Sequence, residues 1–119
     1  MLGGVIAYAN RVKVERLGVA ESTLAEHGAV SVEVAREMAW GARMATGSVV
    51  GVGITGVAGP DGGTADKPVG TVCIAVDADG TVETTSGRYV GDRDEVRWRA
   101  TQAALMLVRK LLSAAPQNF

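Results

Sequence analysis

Hydrophobic residues along this chain follow two different periods, and each predicts a different kind of element. Residues 2–8 (LGGVIAY) and 49–55 (VVGVGIT) are short, nearly unbroken apolar runs. Runs of that length predict strands, the first a candidate edge strand and the second, rich in β-branched residues, a strand covered on both faces. Residues 69–77 predict a third strand, and Ala78-Asp79-Gly80 is a hairpin turn into a fourth over residues 82–90. Elsewhere the apolar positions recur at three and four. Val34, Ala35, Met38, Ala39 and Ala42 predict a helix capped by Ser31, running to Met44 and ended by Gly47. Asn10 is an N-cap for a short helix over residues 11–17, stopped by Gly18, and a second short helix over 21–27 ends at Gly28. Asp92-Arg-Asp-Glu95 is a capping box opening a long helix to about Ser113. Its inward stripe is Val96, Ala100, Ala103, Ala104, Leu107 and Leu111. Trp40 and Trp98 lie on helices and are expected to pack.

The predicted order, β-α-α-α-β-β-β-α, combines a crossover with a hairpin. It implies an α/β fold with a mixed β-sheet and packed helices. The pattern does not decide whether the long helices share one face or divide between both. At 119 residues the chain is expected to form one domain spanning residues 1–119. Because only 4% of residues are aromatic while 47% are hydrophobic, the core must be built from Val, Ala, Leu and Ile. A net charge of −1, with no basic run, argues against a nucleic-acid surface. The single cysteine, Cys73, excludes an internal disulfide and fits a reducing compartment. With no bilayer-spanning segment, the expected location is the cytoplasm and no membrane partner is expected. A sole histidine, His27, with no cysteine cluster, predicts no metal site.

Candidate chemistry concentrates after the second strand. The stretch from Gly51 to Thr64 passes from apolar strand into a turn rich in glycine, where exposed backbone N–H groups suit an anionic or amide-bearing ligand. Gly51-x-Gly53-x-x-Gly56, with Asp77 about twenty residues on, imitates a dinucleotide fingerprint. The imitation fails because Pro60, Gly62, Gly63 and Pro68 prevent the helix that must receive the pyrophosphate. A phosphate-binding P-loop fails too, for want of Gly-Lys-Ser/Thr. The loop itself remains a candidate, with the Thr55 hydroxyl at the strand end and Asp61 with Lys67 available to fix it by charge. Tyr8 ends a strand and Lys13 follows in the next helix, so a phenol and an amine could face one cleft and tune each other's acidity. Cys73, mid-strand between Val72 and Ile74, reads as a small buried residue rather than a nucleophile. Arg88, Arg93, Arg97 and Arg99 cluster near the start of the last helix, and Arg93 is placed to reach an anion beside the glycine loop.

Several segments in order resemble one family. These are Gly3-Gly-Val-Ile-Ala-Tyr-Ala-Asn-Arg-Val-Lys13, Leu17-Gly-Val, His27-Gly-Ala-Val-Ser31, Thr55-Gly-Val-Ala-Gly-Pro-Asp-Gly-Gly-Thr64, Lys67-Pro-Val-Gly-Thr71 and Gly91-Asp-Arg93. Together they resemble the CinA C-terminal domain of competence/damage-inducible proteins. The resemblance implies a layered α/β/α fold and a nicotinamide mononucleotide deamidase, a hydrolase of pyridine-nucleotide recycling that needs no cofactor or metal. It implies catalytic roles for Tyr8 and Lys13, assisting a serine. It also implies a substrate pocket drawn from Asn10, Thr55, Gly56, Ala58, Gly59, Gly62 and Arg93, with nicotinamide mononucleotide or a related small molecule as partner. One departure bears on activity. The family's Ser-Cys-Thr-Gly-Gly motif and a further serine shortly before the first strand have no counterpart here, so the catalytic serine is expected to be missing and the domain N-terminally truncated. Ser22, Ser31, Ser48, Ser86 and Ser113 sit in other contexts. Apolar surface left uncovered is expected to invite association into a homo-oligomer. Two alternatives stay open: an inactive fragment that keeps nucleotide or partner binding, and an interaction module linked to competence or DNA damage.

Overall fold

A computed structural model of the chain describes residues 4–8, 18–57 and 67–114. Four strands are present among these residues: β1 (Gly4–Tyr8), β2 (Val50–Gly56), β3 (Thr71–Ala78) and β4 (Thr81–Arg88). The helices are α1 (Glu21–His27), α2 (Val32–Thr46) and α3 (Arg93–Ala114). The strands form one sheet in the order β1-β2-β3-β4. β1 runs parallel to β2, with Gly4 opposite Val50 and Tyr8 opposite Ile54. β2 with β3, and β3 with β4, are antiparallel. The sheet is therefore mixed, as the element order requires. The predicted helix over residues 11–17 and the tail around Pro116 lie outside the described residues.

The alternation along β2 and β3 separates two faces with different side-chain sizes. On one, Val52, Ile54, Val72, Ile74 and Val76 meet Val96, Ala100, Ala104 and Leu111 of α3 in one buried cluster. Each of those branched aliphatics contributes about 1.5–3 kcal/mol by leaving water. On the other face the residues are small, and Cys73 and Ala75 pack against Ala35 and Ala39 of α2. The long helices thus divide between both faces, giving three layers, α/β/α.

The glycines of β2 explain how α2 lies so close. A Cβ added to Gly51 would overlap the Ala39 carbonyl oxygen, and one added to Gly53 would overlap that of Ala35. Gly51-x-Gly53 is a slot for a helix backbone, which accounts for the dinucleotide-like spacing without any nucleotide. Asp77, the false ribose acid, is buried and serves the scaffold (below).

Local signals set the element ends. Ser31 accepts a hydrogen bond from Val34 N at 3.2 Å, capping α2, and Gly47 closes that helix at φ 68°. Asp79 and Gly80 both have positive φ, 51° and 93°, the mark of a type I′ hairpin. Glu95 N donates to Asp92 Oδ1 (2.9 Å) and Asp92 N to Glu95 Oε1 (3.3 Å), completing the capping box. β3 begins at Thr71 rather than 69, because the Thr71 amide and hydroxyl both fold back on the Pro68 carbonyl, at 3.0 and 2.6 Å. The two tryptophans correct the expectation that they pack. Trp40 is 54% and Trp98 65% exposed. Trp98 lies two residues from both Val96 and Ala100, which turns it to the opposite side of the helix from the core.

Candidate functional site

The parallel pairing of β1 with β2 brings their carboxyl ends to the same end of the sheet, and the glycine-rich loop leaves from that end. Tyr8 is opposite Ile54, so its backbone sits one position before Thr55. Val57 N donates to the Thr71 carbonyl at 2.9 Å, and Gly70 N donates to the Val57 carbonyl at 2.6 Å. These two bonds close the loop at its neck. Gly70 has φ 95°, and a Cβ there would overlap the Tyr89 carbonyl oxygen, so only glycine fits. Arg88 Nε donates to the Val69 carbonyl at 3.1 Å, tying the end of β4 to the same neck.

Opposite the neck, the connection between α1 and α2 presents three successive carbonyls, and each receives a side-chain donor. Lys67 Nζ donates to the His27 carbonyl at 2.8 Å. Ser31 Oγ donates to the Gly28 carbonyl at 2.9 Å. Thr55 Oγ1 donates to the Ala29 carbonyl at 2.8 Å. The Lys67 bond also sets a positive charge against the negative end of the α1 dipole. Through Thr55 and Lys67, the residues on either side of the glycine-rich stretch are tied to the segment that leads into α2. The reach of 40 residues from Lys67 to His27 and 26 from Thr55 to Ala29 hides them from any local reading of the sequence. Only Ser31 announced itself, as a cap.

Thr55 is buried, and its hydroxyl proton is spent on Ala29, so toward a ligand the oxygen can only accept. Gly56, next in line, is exposed at the mouth of the loop. Arg93 opens α3 and is exposed. It lies on the same end of the sheet, because β4 ends at Arg88, opposite Thr71. Asp92, Asp94 and Glu95 flank it, so its positive charge is set in acidic company. Lys13, Asn10, Ala58, Gly59 and Gly62, together with Asp61, lie outside the described residues. For Tyr8 the backbone alone is described.

Cys73 stands directly across the ladder from Thr55 and is buried. Burial pushes its thiol up. The Lys67 ammonium acts in the opposite direction, and the Glu33 carboxylate adds to the rise. A thiol held protonated is a poor nucleophile at neutral pH, so its role here is packing against Ala35 and Ala39. His27 is exposed, its ring 3.6 Å from Glu33 and 3.9 Å from Glu26. No group of three or more His, Cys, Asp or Glu among the described residues is arranged to hold a metal. No helix among them is long and apolar enough to cross a membrane.

Comparison with known proteins adds a family to this geometry. Residues 1–112 match the family described as the CinA C-terminal domain. A CinA-like protein of Gemmatimonas aurantiaca is 56% identical over 108 residues, which is 91% of this chain and 25% of that protein. The chain therefore spans about a quarter of the length of that curated relative. Among solved structures, a CinA superfamily protein from Klebsiella pneumoniae superposes with a TM-score of 0.82 at 34% identity, covering 90% of this chain and 67% of the other. The competence/damage-inducible protein CihA of Agrobacterium tumefaciens gives 0.80 at 40% identity, covering 87% and 64%.

Proposed function

This chain belongs to the CinA C-terminal domain family, and on that premise we propose that it binds nicotinamide mononucleotide at the carboxyl ends of β1 and β2 and hydrolyses its carboxamide in the cytoplasm. The products are nicotinate mononucleotide and ammonia: water supplies the oxygen of the new C–O bond at the carboxamide carbon, its O–H bond and the C–N bond break, and the nitrogen leaves carrying the proton that water gave up. In this reading Tyr8 and Lys13 move that proton. Asn10, Thr55, Gly56, Ala58, Gly59 and Gly62 line the nucleotide pocket, where bare loop amides suit a phosphate, and Arg93 supplies the cation.

The observation that supports this reading is the parallel β1–β2 register. It sets the end of the Tyr8 strand beside Thr55, at the edge from which the glycine loop departs. Ligands of open α/β sheets are received at such carboxyl edges. An ammonia-release assay with nicotinamide mononucleotide tests the reaction. Turnover lost in both Tyr8→Phe and Lys13→Ala supports it, and absence of turnover from the unaltered chain defeats it.

A second reading, binding without hydrolysis, rests on the family's missing serine motif and on the state of two other groups near the site that carry a hydroxyl or thiol. Ser31 Oγ both donates to Gly28 and accepts from Val34, and the Cys73 thiol is buried and held protonated. Titration calorimetry with nicotinamide mononucleotide separates the readings: heat of binding with no ammonia favours a nucleotide-binding unit.

A further inference from the structure

The outer face of α3 carries a second apolar stripe, unconnected with the candidate site. Trp98, Leu105 and Leu112 follow one another at seven-residue intervals and are 65%, 48% and 49% exposed. Seven residues are two turns, so the three side chains stand in one row with about 10.5 Å between neighbours. That row lies opposite the buried side of the helix, where Val96, Ala100, Ala104 and Leu111 meet the sheet. A helix apolar on both sides has one face in its own core and a second that needs a partner. Asp94, one turn before Trp98, and Arg109, between Leu105 and Leu112, lie on the same side of the helix, and both are exposed.

We propose that this row is a two-fold interface, with α3 of one copy packed antiparallel on α3 of a second copy of the chain. The argument is self-complementarity. A two-fold axis passing between Thr101 and Gln102 sets Trp98 of each copy level with Leu105 of the other. The same axis brings Asp94 level with Arg109, twice, and carries Leu112 past the start of the partner helix at Arg93, toward the 81%-exposed Val90. One placement thus satisfies the apolar and the charged positions together, and a two-fold contact uses the same patch on both partners. Antiparallel packing also opposes the two helix dipoles. Neither Asp94 nor Arg109 has an ion pair within its own copy among the described residues. Trp98 is the anchor, since a large aromatic at the centre of a contact dominates its energetics.

Sedimentation velocity over a wide concentration range tests this, with circular dichroism confirming that each variant is folded. The unaltered chain is expected to show a single monomer–dimer equilibrium, and Trp98→Glu to weaken it on the order of a hundredfold or more. Asp94→Arg alone and Arg109→Asp alone set like charges against each other at both ends, so each is expected to be monomeric. An equimolar mixture of those two variants restores both opposite pairings and is expected to form a 1:1 heterodimer. These charge variants keep the test open even if Trp98→Glu fails to fold. A chain that stays monomeric at every concentration overturns the proposal. So does a dimer indifferent to all three substitutions, a mixture that fails to pair, or polydisperse association without a defined dimer.

Discussion

At the amino end of β2, Gly51 faces Asp77 across the ladder, and the last turns of α2 are held there by charge. Arg43 Nη1 lies 3.1 Å from Asp77 Oδ1, with side chains 12% and 4% exposed, and Gly80 N donates to the same carboxylate oxygen at 2.9 Å. One carboxylate thus locks α2 to the β3–β4 hairpin. At the carboxyl end of the same strand, Thr55 faces Cys73, and the start of α2 is held by three single donors on three carbonyls. The first arrangement buries a formal charge that cannot lose its partner cheaply. The second divides its hold among separate hydrogen bonds, each worth about 0.5–1.5 kcal/mol, or somewhat more where a charge takes part. The charge-locked end serves the scaffold, and the end with separate ties carries the proposed site.

The largest expected effect lies at the charged end. Asp77→Ala leaves the buried Arg43 guanidinium with only the exposed Asp79 carboxylate, 3.8 Å from its Nη1, and its Nε already has no hydrogen-bond partner among the described residues. A loss of about 3–5 kcal/mol is expected in urea unfolding. Adding Arg43→Met to Asp77→Ala removes the stranded charge and should recover a good part of that loss. If Asp77→Ala alone costs no more than a surface substitution, the contrast between the two ends collapses.

Gly53→Ala strikes the strand midway between the ends. The new methyl must displace the α2 backbone at Ala35, and about 1–3 kcal/mol is expected to be lost. Were the glycines present for a nucleotide instead, thermal stability would be unchanged and only ligand affinity would fall. The same residue shows how far the sequence was legible. Period and cap signals sufficed for the helices and strands among the described residues and for the hairpin turn, since each depends on neighbours in the chain. What Gly53 is for depends on α2 reaching it through the crossover, and spacing alone could imitate a fingerprint. The Arg43–Asp77 pair spans 34 residues, so it exists only once the sheet register and the seat of α2 are both known. Trp98 misled for a related reason: position on a helix was legible, but which side faced the sheet required the phase set by Val96 and Ala100.

At the site end the expected losses are smaller and fall on a different readout. Thr55→Val keeps the shape and deprives the Ala29 carbonyl of its donor, for about 1–2 kcal/mol of stability. It should also loosen the hold on nicotinamide mononucleotide in calorimetry, because the loop neck loses a tie to α2. Arg93→Ala, on the exposed first turn of α3, should leave unfolding within about 0.5 kcal/mol while weakening nucleotide binding in a salt-dependent way. The order of the three positions, Asp77, Thr55, Arg93, is thus expected to reverse between stability and affinity. A ligand effect at Asp77 as large as at Arg93 would show that the two ends are not separate in function.

Cys73 offers the finest test, because it sits on the site end yet behaves like scaffold. Its thiol is pushed up by burial, with the Lys67 ammonium pulling the other way and Glu33 adding to the rise. Since the folded value exceeds the unfolded one, folding favours the protonated thiol. That contribution is complete at pH below the ordinary thiol value and is lost as pH climbs from there through the raised folded value. Cys73→Ala removes the titration together with one buried sulfur, costing about 1 kcal/mol at neutral pH from lost packing. The gap in stability between the unaltered chain and Cys73→Ala should therefore be widest at neutral pH and narrow steadily in the alkaline range. In the same chain a thiol reagent should label Cys73 only as fast as the fold opens. Rapid labelling of the native chain at neutral pH, or a gap that widens with alkali, would mean that the thiol faces the loop as an ionised group. The site end would then hold a nucleophile, and binding without hydrolysis would lose part of its support.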